Sequence, residues 1–378
     1  MAHDSNTCST AAVRWDSLAL DDGPAAAGGG PAPAGPAAAP LLPRGAVTRT
    51  FATPEFRGMT FYEVHCRSAL NPVPPASRLP FRWTVNPYRG CGHACVYCFA
   101  RGTHRWLDLD AGHDFDSRVV VKTNVAEVLA RELARPGWTG EHVALGTNVD
   151  CYQRVEGRYR LMPGVLDALS AARNPFSLLT KGTLVLRDLD RLAAAADVTD
   201  VSAALSVGSV DPALWRAVEP GTPAPRRRLE AVRALHEAGI PTGVLMGPVL
   251  PFLSDSPAQL EETVRAVAAA GAAYVSPIVL HLRPGAREWW QAWLRGHHPD
   301  LLPRYAELYG ERAYAPRAYQ REVEERVRDL AERHGVGRER VGRWRTGHER
   351  ALAQRERLRA GAGSAGAPRA AAAQLSLL

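Results

Sequence analysis

The sequence predicts an α/β fold in which parallel strands alternate with helices and form a barrel of about six units. Two observations support this prediction. Short apolar runs with strand character alternate with segments of helical period between residues 81 and 295. The helical segments have the length of about 10–15 residues that is typical of βαβ units, which pair their strands in parallel through right-handed crossovers. Because chemistry in such barrels lies at the carboxyl ends of the strands, we expect the functional residues on the loops that follow the apolar runs.

The elements follow from this alternation along the chain. In order, the predicted strands and helices are RWTVNPY, RVVVKT with a helix from Val125, HVALGT with a helix near 162–173, FSLLTK with one near 184–196, VSAALSV with 226–238, TGVLMGPVLP with 257–270, and AYVSPIVLHL with 286–295. About six of these units are expected to share one parallel sheet.

The composition indicates a globular protein with low-complexity ends. The chain has 378 residues, of which 46% are hydrophobic and 22% charged, and this excludes a wholly disordered or collagen-like protein. Ala/Gly/Pro-rich stretches that cannot form a packed core occupy residues 22–44 and 360–373. The predicted organisation is a mostly disordered segment 1–50, a core domain 51–300, a basic helical extension 301–359 and a disordered tail 360–378.

The charge distribution leaves two interpretations open. The formal net charge is +7, and residues 311–378 contribute most of it with 15 arginines against 9 acidic residues. A basic extension is typical of a protein that binds an anionic partner such as nucleic acid, and equally of a solvated helix face.

The chain contains no apolar run of 18 residues and begins without the pattern of a signal peptide, so we expect a cytoplasmic protein that does not bind membranes.

Three of the six cysteines predict a metal or redox site. Cys91, Cys95 and Cys98 lie in NPYRGCGHACVYCFAR with the spacing C-x3-C-x2-C, on the loop after the first predicted strand. A structural zinc ion needs a fourth ligand, for which His93 is the local candidate. Thiolates also bind iron–sulfur clusters, and a cluster with three cysteine ligands leaves one iron open to a substrate.

This loop resembles the signature of the radical S-adenosylmethionine (SAM) superfamily. The resemblance implies a partial (βα)6 barrel and a 4Fe-4S cluster on Cys91, Cys95 and Cys98. It also implies that SAM chelates the open iron and is cleaved, with an electron from a flavodoxin- or ferredoxin-like donor, to methionine and a 5′-deoxyadenosyl radical that abstracts hydrogen from a substrate. Tyr97 occupies the aromatic position that packs near the adenine in this superfamily, or it is an ordinary packing residue.

The segments TNVDCYQRVEGRY, LLTKGTLVLRDLDRL, VEPGTPAPRRRLEAVRALHEAGIP and GVLMGPVLPFLSD are similar to the spore photoproduct lyase-related branch, over roughly residues 80–285. The resemblance implies an amine-binding role for Gly146, Thr147 and Asn148, although the usual glycine–glycine–glutamate is absent. Asp150 and Glu156 are the candidates for the missing carboxylate, or Asp150 caps a turn. Cys151 stands where related sequences have proline, and it is a candidate hydrogen donor.

Lys122 and Lys181 are the only lysines in a chain that otherwise uses arginine, and both end predicted strands. A compact ammonium reaches a carboxylate as a point charge. We therefore expect Lys181 to contact the SAM carboxylate and Lys122 to have a structural role. Glu219 and the run Arg226 to Arg228 are expected at the barrel mouth, facing an anionic substrate or the ribose, or as the start of an amphipathic helix.

The chain ends Gln374-Leu375-Ser376-Leu377-Leu378. This pentapeptide resembles the bacterial sliding-clamp binding motif, with Leu378 in place of the usual aromatic residue.

The sequence as a whole favours a radical SAM enzyme that acts on nucleic acid, in repair or modification. The alternatives are a radical SAM enzyme that acts on a small metabolite or peptide, and a zinc-stabilised adaptor without enzymatic activity.

Overall fold

The computed structural model describes residues 41–336 except 75, 76 and 78. The strands of this part are β1 (Val47–Thr50), β2 (Thr60–Val64), β3 (Leu70–Pro72), β4 (Trp83–Val85), β5 (Tyr88–Arg89), β6 (Arg118–Lys122), β7 (Val143–Leu145), β8 (Phe176–Thr180), β9 (Val201–Ser206), β10 (Thr242–Val249) and β11 (Val275–Val279).

The α-helices of the same part are α1 (His113–Ser117), α2 (Val125–Leu133), α3 (Glu156–Tyr159), α4 (Leu161–Ala171), α5 (Leu189–Val198), α6 (Pro212–Val218), α7 (Pro225–Glu237), α8 (Pro257–Ala269), α9 (Ala286–His297), α10 (Leu302–Tyr309) and α11 (Arg317–Arg333). Short 3-10 helices lie at Pro54–Phe56, Phe99–Leu107, Thr183–Asp188 and Pro299–Leu301.

The central sheet is a partial barrel. Its strand order is β11-β10-β9-β8-β7-β4-β3, and the six strands from β4 to β11 in this order are parallel, whereas β3 is antiparallel at one edge. The sheet is open, since β11 and β3 are its two edges. The predicted α/β fold with a partial barrel is therefore confirmed. All six carboxyl ends lie along one rim of the sheet, where we sought the functional residues.

One apolar run belongs elsewhere. The alternation predicts RVVVKT as a strand of the central series, but as β6 it lies in a second, four-stranded sheet with order β1-β2-β6-β5. There β6 pairs in parallel with β2 and antiparallel with β5. Its apolar residues are buried like those of the central strands, so its local pattern could not show which sheet would contain it. Lys122 ends this strand and is buried.

Helix α8 shows how the sequence directs the packing of the outer layer. Ser256 caps its first turn by accepting a hydrogen bond from Gln259 N–H at 3.3 Å, and a proline occupies the first helical position. Leu260, Val264 and Val267 recur at helical spacing and are fully buried against the sheet. The burial of this apolar stripe stabilises the helix on the sheet.

Several predictions lie wholly or partly outside the described residues. They concern most of segment 1–50, the end of the extension 301–359 and the tail 360–378 with its clamp-like pentapeptide. The division of the chain into these regions stays a prediction. Among the helices of the described part, none combines the length and the apolar character needed to cross a membrane.

Candidate functional site

The cysteine loop follows β5 and is folded into two turns by its own backbone. Ala94 N–H donates to Cys91 O at 3.1 Å, and Cys98 N–H donates to Cys95 O at 3.2 Å. Ala94 adopts a φ of +52°, in the left-handed region that alanine rarely visits. The three thiols are free, and those of Cys91 and Cys95 are buried. The turns therefore place three thiols within a compact, ordered loop.

Gln153 fixes the backbone on both sides of Cys91. Its Nε2 donates to Gly90 O at 2.9 Å, and its Oε1 accepts from Gly92 N–H at 2.9 Å. The Gln153 side chain is completely buried. Gly90 has a φ of +84°, and a Cβ at this position would lie 2.8 Å from Arg118 O, so only glycine fits. The role of Gln153 could not be predicted from the sequence, because its partners are backbone atoms about sixty positions away.

Arg101 fixes the backbone at Cys95 and was also missed. Its Nε and Nη2 donate to Cys95 O at 3.1 and 2.9 Å, and Nη2 also pairs with Asp116 at 2.9 Å. The guanidinium is fully buried, with its carbon 4.9 Å from the ring centroid of Trp289 and 5.3 Å from that of Phe115. An arginine three residues after a cysteine motif is the signal that could have identified this role.

The loop also docks on the segment that follows α6. Val96 N–H donates to Val218 O at 3.0 Å, and Gly221 N–H donates to His93 O at 3.0 Å. A Cβ at Gly221 would lie 2.1 Å from Gly92 O. These contacts bind the loop after β5 to the region that follows the fourth parallel strand, β9. The cysteine loop therefore lies over the carboxyl rim of the central sheet.

Asp150 connects the cysteine loop to the end of β8. Its carboxylate accepts hydrogen bonds from Lys181 N–H and the Thr180 hydroxyl at 2.6 Å each and from Tyr152 N–H at 2.9 Å, and it lies 3.3 Å from His93 Nδ1. Burial alone would raise the pKa of Asp150, but His93 and the donated hydrogen bonds lower it to about 2. Asp150 therefore caps its turn, which is one of the two roles expected from the sequence. Its ionised carboxylate also connects the cysteine loop to the end of β8.

Burial raises the pKa of the three thiols. It raises that of Cys95 to about 12, although Lys181 nearby opposes the shift. The pKa of Cys91 is raised by burial and then by the charges of Asp150, Cys95 and Cys98, so the three sulfur atoms are near enough to interact. Burial likewise raises the pKa of Cys98. The thiols are therefore protonated at pH 7 in the absence of a metal, and binding of iron would release their protons.

Lys181 extends across the rim from the end of β8. Its Nζ donates to Ser206 Oγ at 2.7 Å, at the end of β9, and to Gly247 O at 3.3 Å, within β10. The same atom lies 5.7 Å from the ring centroid of Tyr97. A lysine ammonium has three N–H donors, and these two contacts leave one for a ligand. Lys181 is therefore a cation at the carboxyl ends of three neighbouring strands, beside the cysteine loop.

A buried ion pair lies behind Tyr97. The Tyr97 hydroxyl donates to Glu219, and Arg228 donates to the same carboxylate. Arg228 also donates to Pro223 O and Ser206 O at 2.8 Å each. Burial alone would raise the pKa of Glu219, but Arg228 and then Lys181 lower it to about 2. The expectation that Arg228 faces an anionic substrate is wrong, because this side chain is buried and paired within the protein.

A small, open cleft lies beside this pair, between the ends of β9 and β10. Its lining includes Tyr97, Gly208, Ser209, Trp215, Glu219 and Pro248. A Cβ at Gly208 would lie 2.5 Å from Pro248 O, so glycine permits the close approach of these strand ends. Aromatic, hydroxyl and backbone groups therefore line this cleft next to the cysteine loop.

The remaining predicted residues follow β7. Gly146 has a φ of +75°, and a Cβ there would lie 2.0 Å from Leu179 O, so glycine is required by packing against β8. Thr147 and Asn148 are partly exposed on the rim. Cys151 is completely buried, and its sulfur lies 3.3 Å from the same Cβ position at Gly146. The roles of these residues toward SAM or substrate stay predictions.

Comparison with known proteins identifies the family. A model of the radical SAM superfamily matches residues 85–267. An uncharacterised protein of Mycobacterium tuberculosis (strain H37Rv) is 54% identical over 275 residues, which cover 73% of this chain and 81% of that protein. The chain belongs to the radical SAM superfamily. An uncharacterised protein of Methanocaldococcus jannaschii is 27% identical over 187 residues, which cover 50% of this chain and 68% of that protein.

Solved structures show the same fold for this radical SAM protein. Spore photoproduct lyase complexed with dinucleoside spore photoproduct has a TM-score of 0.58 and 16% identity, with 73% of this chain and 81% of that chain covered. A double mutant of the lyase with bound AdoMet and dinucleoside spore photoproduct has a TM-score of 0.55 and 17% identity over the same shares. The cofactors of the radical SAM family are a 4Fe-4S cluster and SAM.

The cysteine loop fits such a cluster by its donor set. Cys91, Cys95 and Cys98 are free thiols, and the charges of Cys95 and Cys98 add to the burial that raises the pKa of Cys91. In the described part of the chain, no three His, Cys, Asp or Glu side chains form a ligand group for a metal ion. A 4Fe-4S cluster needs a different arrangement of ligands from a single metal ion, because each thiolate binds a different iron atom. His93, the fourth ligand that zinc would need, has its Nδ1 3.3 Å from Asp150 and forms no such ligand group with the cysteines in the described residues.

Proposed function

We propose that this radical SAM enzyme holds its 4Fe-4S cluster on Cys91, Cys95 and Cys98 and acts on nucleic acid. The observation that carries the first part is the anchored loop of three free thiols at the carboxyl rim of the parallel sheet. When bound, the cluster and SAM supply a 5′-deoxyadenosyl radical that abstracts hydrogen from a substrate.

The chain's own residues position these groups. Gln153 and Arg101 hold the backbone at Cys91 and Cys95, which fixes two of the three sulfur positions. Lys181 presents its remaining N–H donor to the SAM carboxylate. Tyr97, fixed by its hydrogen bond to Glu219, forms one wall of the adjacent cleft. Each of these side chains is oriented by the protein before a ligand arrives, which lowers the cost of binding.

Two observations favour nucleic acid as the substrate. The formal net charge of +7 attracts an anionic polymer. The solved structures with the same fold include spore photoproduct lyase complexed with dinucleoside spore photoproduct. We expect the reaction to be a repair or modification of a base, with the enzyme in the cytoplasm.

The decisive experiment measures SAM cleavage by the anaerobically reconstituted protein with and without oligonucleotides. We expect single-stranded or damaged DNA to raise the rate of 5′-deoxyadenosine formation. Deuterium at the reacting position of the oligonucleotide should appear in 5′-deoxyadenosine. If a small metabolite or peptide transfers deuterium and oligonucleotides do not, nucleic acid is the wrong substrate. A protein that binds zinc and no iron would support the adaptor instead.

Replacing Lys181 by alanine is expected to weaken SAM binding without loss of iron. The loss should be about 1.5–3 kcal/mol, as for a hydrogen bond to a charged group. The measurement is a titration of SAM into the reconstituted protein, followed by iron analysis. Lys122→Met is the matched control, because it removes the other lysine from the second sheet. Equal SAM affinity of the wild type and Lys181→Ala would show that Lys181 has only a structural role.

Radical SAM enzymes need an electron donor, and we expect a flavodoxin- or ferredoxin-like protein here. The interaction of Gln374, Leu375, Leu377 and Leu378 with a sliding clamp stays a prediction from sequence. If it occurs, it would tether the enzyme to DNA that is being replicated or repaired.

A further inference from the structure

An aromatic–arginine stack lies on the surface beside the cysteine loop. It consists of Phe99, Arg283, Tyr314 and His281. The guanidinium carbon of Arg283 is 5.5 Å from the ring centroid of Phe99 and 5.8 Å from that of Tyr314. Arg283 Nη2 also donates to the Tyr314 hydroxyl at 2.8 Å, and the ring centroids of Tyr314 and His281 are 4.7 Å apart in an edge-to-face arrangement. The four side chains therefore form one contiguous cluster of planar groups.

The stack is fixed at the rim of the sheet. Phe99 directly follows Cys98, and Arg283 lies on the loop that follows the last parallel strand, β11. The segments behind these two residues are in close contact, since a Cβ at Gly102 would lie 2.5 Å from Pro284 O. Tyr314 is paired with His281 in an isolated β-bridge. The stack is thus held by backbone contacts next to the loop that carries the cysteines.

Two aromatic side chains of the stack are exposed. Phe99 is 40% exposed and Tyr314 is 43% exposed, and Arg283 is exposed between them. Burial and then the charge of Arg283 lower the pKa of His281, so its ring is neutral at pH 7. Exposed π-faces bind nucleotide bases by stacking, and an interleaved arginine adds a cation for the base or the phosphate.

These features favour one kind of ligand. A duplex hides the faces of its bases, so stacking on these rings requires an unpaired or extruded base. The positive charge of Arg283, on a chain of net charge +7, complements the phosphate of such a strand. A neutral peptide would leave this cation without a partner of opposite charge.

We propose that the aromatic–arginine stack binds an unpaired base and its phosphate in the nucleic-acid strand on which the enzyme acts. This inference rests on the proposed action on nucleic acid and adds the surface that holds the strand. If the inference is right, the protein binds single strands more tightly than duplexes. Net charge alone would not produce this difference in affinity.

The test is the affinity of the reconstituted protein for a labelled single-stranded DNA dodecamer and for the hairpin duplex of the same sequence, at one salt concentration. We expect tighter binding of the single strand. Phe99→Leu and Tyr314→Leu should each weaken it by about tenfold, as expected for loss of one stacked base. Tyr314→Phe keeps the ring and should bind within about twofold of wild type, because stacking requires no hydroxyl.

Two control variants separate stacking from general effects. Val198→Ala removes a side chain of similar exposure, at 42%, from the opposite rim of the sheet, and it should not change the affinity. Arg283→Gln should weaken binding and lower the slope of log affinity against log salt by about one, whereas Arg135→Gln, at the end of α2, should change neither. Thermal unfolding of each variant verifies that it is folded.

The outcomes distinguish this inference from the proposed function. If the wild type binds the single strand and both leucine variants bind it equally well, the stack is not the binding surface, and the proposed substrate stands. If Val198→Ala loses as much affinity as the leucine variants, the inference is also wrong. If the wild type cleaves SAM but binds neither DNA, nucleic acid is excluded as the substrate and the stack has no such role.

Discussion

Each of the substitutions Cys91→Ala, Cys95→Ala and Cys98→Ala is expected to abolish both cluster binding and cleavage of SAM. A cluster with an open iron uses three protein thiolates, so loss of one leaves two irons without a protein ligand. His93, the alternative donor within the loop, already has its Nδ1 3.3 Å from Asp150. Iron and sulfide content, visible absorbance and 5′-deoxyadenosine formation after anaerobic reconstitution provide the measurement.

The control is Cys66→Ala, which removes a buried cysteine from outside the loop. It should retain the iron content of the wild type, as should Cys8→Ala. Cys151→Ala should also retain its iron, and loss of product without loss of iron would support its predicted role as hydrogen donor. Full iron content in any one of the three loop variants would contradict the assignment of the cluster ligands.

The central sheet could be predicted because each strand carries its own signal. The apolar runs that form β7 to β11 are separated by helices of ordinary length, and this spacing specifies parallel pairing. The run RVVVKT carries the same signal, yet it pairs with β2 and β5 in another sheet. The partners of a strand are set by the tertiary fold, and the pattern of apolar residues within the strand does not specify them.

The cysteine ligands could be predicted because they are close together in the sequence. The residues that hold their loop are not, since Gln153 and Arg101 act through backbone carbonyl and amide groups. Any residue type presents such groups, so their partners leave no pattern in the sequence. For Arg228 the sequence pattern was misleading. The basic run suggested a surface for anions, whereas Arg228 is paired with Glu219, nine positions away in the chain.

Replacing Arg228 by methionine is expected to lower the free energy of unfolding by about 3–5 kcal/mol, because it leaves the buried Glu219 carboxylate without its counter-ion. Arg227→Met is the matched control. Its side chain is 72% exposed, so the loss should stay within about 0.5 kcal/mol. Urea unfolding of the unloaded proteins measures both values.

The pH dependence of this loss tests its electrostatic origin. In the native protein the pKa of Glu219 is lowered from 4.5 to about 2, so the pair contributes stability above pH 4.5 and loses it as the pH falls toward 2. Without Arg228 the buried carboxyl has a higher pKa and takes up a proton more readily, which removes the uncompensated charge. The difference in stability between wild type and Arg228→Met should therefore narrow as the pH is lowered from neutrality. A difference that stays constant with pH would show that Arg228 stabilises the fold by packing and hydrogen bonds to Pro223 and Ser206 rather than by its charge.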